Sequence, residues 1–185
     1  MTVEPGASPD PAPGLFEVLA SEAERESPLW GEALLRRASH PREGIFSPLG
    51  EARFALGLET IYEGYLLHYG RPRLFAPADR ETALLLGDYL YAHGLVRIAA
   101  AGTVEAVADL AELISLCAYL RAEGAPGDGD AWAATAALLG RDGLATARVA
   151  LRREGDRRPL ADLARESCGS AALERALHAH AVCVG

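Results

Sequence analysis

The stretch from Asp79 to Ala101, DRETALLLGDYLYAHGLVRIAAA, constrains the fold more than any other part of the chain. It contains no proline, stops at Gly102, and is long enough for about six helical turns. Leu84, Leu85, Leu86, Leu90, Leu95 and Val96 are spread so that no side of such a helix is wholly polar. A helix apolar on every side belongs inside a bundle, so this pattern predicts the central helix of an all-α fold. Composition points the same way. Among 185 residues there are 36 Ala and 28 Leu but only 12 Val plus Ile. Unbranched helix formers in that excess argue against a β sandwich or barrel.

Punctuation residues divide the rest. Residues 1–14, MTVEPGASPDPAPG, form a Pro-rich polar leader expected to be disordered, and residues 15–185 read as one helical domain. A first helix is expected over 15–27. Ser27-Pro28 then opens a second, PLWGEALLRRAS, since Ser caps and Pro suits the first helical position. Ser47-Pro48 repeats the signal before a helix over 49–69, which Gly70 and Arg71-Pro72 end. Beyond 79–101 comes a helix over 103–123 with Thr103 as N-cap, then the turn GAPGDGD at 124–130. Four Ala-rich helices follow at 131–139, 142–153, 159–166 and 171–182.

Charge excludes several functions. The net charge is −8, and all 18 basic residues are Arg. Scattered arginines on an acidic chain give no concentrated basic face for nucleic acid. Without lysine there is no Walker A lysine and no Schiff-base lysine. Cys117, Cys168 and Cys183 form no CxxC pair, no apolar h-region is visible, and no stretch of 18 residues is free of charge and apolar. A cytoplasmic protein with free thiols, no cofactor and no transmembrane segment is the expectation. His178, His180 and Cys183 do not suggest a metal, because i and i+2 point to different helix faces. RREGDRR at 152–158 reads as a solvated helix end, with a phosphate contact as the alternative.

The stretch ALLLGDYLYAHGLVRIAAAGTVEAVADLAELISLCAYLRAEG resembles the middle of trans-polyprenyl diphosphate synthases. The likeness is carried by Gly87-Asp88-Tyr89-Leu90, then Gly102-Thr103 and the helix that follows, with Leu66-Leu67-His68 and Arg71-Pro72 upstream. It implies an antiparallel bundle of the all-α isoprenoid synthase type. That family holds Mg²⁺ on two aspartate clusters that meet the leaving diphosphate. This sequence has no Asp-Asp pair, Tyr69-Gly70 follows His68, and no lysine can bind a second diphosphate. The resemblance therefore implies a degenerate, truncated member, non-catalytic on its own. Its expected role is an accessory subunit of a catalytic prenyl synthase chain, a homodimer, or a binder of an isoprenoid such as a prenyl diphosphate or quinone. The alternative is a helical adaptor or maturation chaperone for a redox enzyme, with no small ligand.

Candidate ligand-binding residues follow from two spacings. Tyr62, Tyr65 and Tyr69 fall at i, i+3 and i+7 of one helix, after Phe54 and Leu58. Gly57 and Gly64 in that helix, like Gly87 and Gly94 in the next, lie seven apart. An apolar groove between the two helices would have the tyrosines, Gly87 and Tyr91 as walls, with His68 and Asp88 near its mouth. Both patterns also serve packing alone, as core aromatics and as close helix approach. In that packing case Asp88 is a buried carboxylate bonded to a neighbouring helix. A cavity between the two helices favours the isoprenoid reading; a packed seam with an exposed apolar outer face favours the adaptor.

Overall fold

A computed structural model describes residues 14–185, so the Pro-rich leader lies outside the described residues but for Gly14. Among these the fold is all-α. The helices are α1 (Leu15–Glu26), α2 (Pro28–Glu32), α3 (Ala55–Tyr69), α4 (Arg80–Ala101), α5 (Val104–Glu123), α6 (Asp128–Leu138), α7 (Leu144–Glu154), α8 (Arg158–Cys168) and α9 (Ser170–Val184). Single 3-10 turns occupy Arg37–Ser39, Ser47–Leu49 and Ala52–Phe54.

Local chemistry sets most of these ends. The Ser27 hydroxyl accepts from the Leu29 N–H at 3.2 Å, with Pro28 at the first helical position. Asp79 Oδ1 accepts from the Thr82 N–H at 2.7 Å and starts α4. Two expected helices are shorter than the sequence suggests. α2 ends at Glu32 because the chain beyond it pairs sideways: Leu35 N–H donates to Leu74 O at 3.0 Å and Ala76 N–H to Ala33 O at 2.7 Å. α3 begins at Ala55 rather than 49, since Gly50 passes directly against the Ala136 carbonyl and the chain approaches in 3-10 turns.

The central position belongs to α3 and α6, not to α4. Every residue of α3 from Gly57 to Leu67 is buried, as is every residue of α6 from Gly129 to Ala137. α4 buries Leu86, Leu90 and Ile98 but leaves Leu84 37%, Leu85 59% and Val96 65% exposed. Apolarity on every side thus failed to predict burial on every side. α3 reaches the centre although it carries Glu59, Thr60 and Glu63, because its carboxylates are bonded inside the fold. The largest apolar cluster surrounds Phe46, Tyr62, Tyr65, Leu113 and Trp132. A smaller one joins Phe16 and Leu19 of α1 to Leu74, Phe75, Leu86 and Leu90.

Candidate functional site

The expected groove between α3 and α4 is a closed seam. A Cβ placed on Gly64 would stand 2.9 Å from the Gly87 carbonyl, and one on Gly87 would stand 2.6 Å from His68 Nε2. At Gly57 it would stand 2.6 Å from Ile98 Cδ1, and at Gly94 it would collide with Ile61. The four glycines let two backbones come together, and side chains take up the space a ligand would need.

The predicted site residues separate into two groups. Tyr62 and Tyr65 turn into the main core with Phe46 and Trp132, the Tyr62 ring lying 5.1 Å and 5.0 Å from those two. Their hydroxyls end in a polar cluster. Tyr62 Oη lies 2.9 Å from His180 Nδ1, Tyr65 Oη donates to Asp128, and Arg121 donates to Tyr65 Oη at 2.8 Å while also pairing with Asp128. His180 Nε2 comes within 3.4 Å of Asp128 Oδ2. Burial pushes both tyrosine hydroxyls far up, so they remain protonated. Burial works to raise Asp128 as well, but His180, Tyr65 and the Arg121 charge outweigh it and hold the carboxyl well below the usual range. These contacts join α3, α5, α6 and α9, with His180 Nε2 held near Asp128 without a hydrogen bond.

His68, Tyr69, Asp88, Tyr91 and Gly87 gather at the C-terminal end of α3. The His68 ring stacks on Tyr91 with centroids 5.1 Å apart and lies beside Tyr69. Asp88 is not the buried carboxylate that its apolar surroundings suggest: its side chain is 74% exposed, with Oδ1 3.2 Å from His68 Nε2. It sits on the outer side of α4, where water solvates it. Burial lowers the His68 pKa, and Asp88 opposes that shift.

The most heavily buried charges were not anticipated. Glu59 and Glu63 are fully buried on α3 and share Arg73, through Arg73 Nη2 at 2.7 Å and Nε at 2.8 Å. Glu59 also accepts from the Phe46 and Ser47 N–H groups, and Glu63 from those of Arg73 and Leu74. Two carboxylates at i and i+4 in an otherwise apolar helix were the available signal. A second buried pair, Arg148 with Asp109 at 2.8 Å, ties α7 to α5. In RREGDRR, Arg158 pairs with Asp156 at 2.8 Å and Arg157 lies 3.6 Å from Asp130.

Among the described residues no three His, Cys, Asp or Glu side chains converge as a metal site, and no helix is long and apolar enough to cross a membrane. The helical hairpin of α4 and α5 also offers an open surface. The outer side of α4 presents Leu84, Leu85, Ala92 and Val96, and the neighbouring α5 presents Val104 and Tyr119. The chain matches no protein-family model, no curated protein and no solved structure.

Proposed function

We propose that this chain is a non-catalytic helical subunit that acts by docking on a protein partner through the outer face of α4. One observation carries the reading: α4 closes its inner face on α3 without a channel, yet leaves Leu84, Leu85 and Val96 in water. Each large aliphatic side chain covered by a partner is worth about 1.5–3 kcal/mol, and side chains of this size are not normally left clustered in solvent. The sequence resemblance suggests the partner class, a catalytic trans-prenyl synthase chain that supplies the Mg²⁺ and diphosphate chemistry. The site of action on this reading is the cytoplasm. A maturation adaptor for a redox enzyme would use the same face, and the identity of the partner separates the two.

The test is to co-express the chain with trans-prenyl synthase chains from its own host and follow assembly by size exclusion with light scattering. One complex should form, and Leu85→Glu with Val96→Glu should dissolve it while helical circular dichroism is unchanged. Prenyl product is expected from the pair and not from this chain alone. Two separate, well-behaved species for the parent would overturn the pairing with a prenyl synthase.

A further inference from the structure

We infer that the outer face of the α4–α5 hairpin is matched to a helix of another protein whose apolar stripe is flanked by arginine or lysine, and not to a second copy of this chain. The inference rests on the docking role proposed above and adds the partner's chemistry.

α4 and α5 are joined only by Gly102 and Thr103, so they form a helical hairpin with one face on the core and one outward. Its outward apolar residues are Leu84, Leu85, Ala92 and Val96 on α4 with Val104 and Tyr119 on α5. The charges around them lean acidic, although Arg152 of α7 lies 5.9 Å over the Tyr119 ring and donates to Ser115. Between residues 79 and 123 the sequence has seven acids and three arginines. Arg97 is taken by Glu22 and Thr60, and Arg121 by Asp128 and Tyr65, which leaves Arg80. Of the acids, Asp109 is used by Arg148 and Gly140, and Asp79 caps α4. Glu81, Asp88, Glu105, Glu112 and Glu123 have no arginine partner among the described residues. Asp88 is 74% exposed, with Oδ1 3.2 Å from His68 Nε2, so its carboxylate is open to a partner's guanidinium.

A net excess of acid beside an apolar stripe selects among occupants. In a two-fold dimer the same patch meets itself, so acid would face acid. An anionic lipid surface is repelled for the same reason. A helix laid along the hairpin with apolar residues at i, i+3, i+4 and i+7 and cations on both flanks meets both requirements.

The experiment uses three fluorescent stapled peptides: an apolar stripe flanked by arginines, the same stripe flanked by glutamates, and a scramble of the first. Binding is read by anisotropy, and the mass of the parent by light scattering at physiological salt. The arginine-flanked peptide should bind, weakening as salt rises, and its affinity should fall about tenfold or more in the scramble and in Leu85→Glu. Glu81→Arg with Asp88→Arg should weaken it similarly and admit the glutamate-flanked peptide. Equal binding of the two flanked peptides, or of the scramble, overturns the inference. A parent dimer that Leu85→Glu dissociates also overturns it, yet leaves α4 as the docking face. If Leu85→Glu changes neither binding nor mass while circular dichroism shows a folded protein, the docking reading itself falls.

Discussion

At the scale of single residues, Arg73 is the side chain on which most depends. Its guanidinium serves Glu59 and Glu63, lies about 5 Å over the rings of Phe16 and Tyr62, and is itself largely buried. Removing one partner from a buried ionic group leaves charge without compensation, at a cost of about 3–5 kcal/mol. Arg73→Ala should lower stability by that amount in urea unfolding. Arg73→Lys should fall between, because a point charge cannot serve two carboxylates as a planar fork does. A loss under about 1 kcal/mol for Arg73→Ala would show that the cluster contributes little. Asp128 gives the pH prediction. Its folded pKa lies below the ordinary value of about 3.9, so its contribution is complete above that value. The contribution is lost as pH falls through the window below it. Stability curves of the parent and Asp128→Asn should therefore converge as the solution is acidified below about pH 4. Curves that stay parallel would remove Asp128 from the acid response.

Among elements, the α3–α4 seam decides how the bundle closes. Gly94→Ala would put a methyl group into Ile61 and within 3.1 Å of the Gly57 carbonyl. Overpacking of this kind costs about 1–3 kcal/mol, against a helix-propensity gain of at most about 1 kcal/mol. Gly31→Ala in α2 is the control, since its nearest neighbour is 3.6 Å away in ordinary contact. Gly94→Ala should lower the melting temperature and Gly31→Ala should not. Equal effects would mean that the seam is loose. This seam was half legible in the sequence. Glycines seven apart in two helices do mark a face for close approach, and the aromatic spacing of α3 does mark its core side. The side of α4 that faces out was not legible, because a helix apolar on every side carries no directional pattern. Nor was the candidate surface, which depends on Arg97 and Arg121 turning inward and leaving the acids alone. The i, i+2 spacing that argues against a metal at His178 and His180 says nothing of the partners of His180, which come from α3 and α6.

For the whole molecule, burial orders the elements differently from hydropathy. α3 and α6 are enclosed along nearly their full length; α4 and α5 are enclosed on one side. α2 has five residues, none of them buried, and is held by its Ser27 cap. Amide exchange reads this order directly, because an amide inside the last cooperative unit to open exchanges only through global unfolding. The slowest amides should lie in α3 between residues 57 and 67 and in α6 between 129 and 137, at rates set by the global stability. The Tyr65–Asp128–Arg121 contacts couple the two helices, and the buried Arg73 holds α3 to the loop that follows it, so neither opens alone. α2 should exchange fastest of the helices. α4 should be intermediate, with an exposed side that a bound partner would newly protect at Leu85, Ala92 and Val96. Hydrogen exchange followed by mass spectrometry measures all three classes in one experiment. Slowest exchange in α4 would mean that its outer face is already covered in solution, by self-association or by a segment folded over it. In that case the exposed stripe would no longer support docking by another protein.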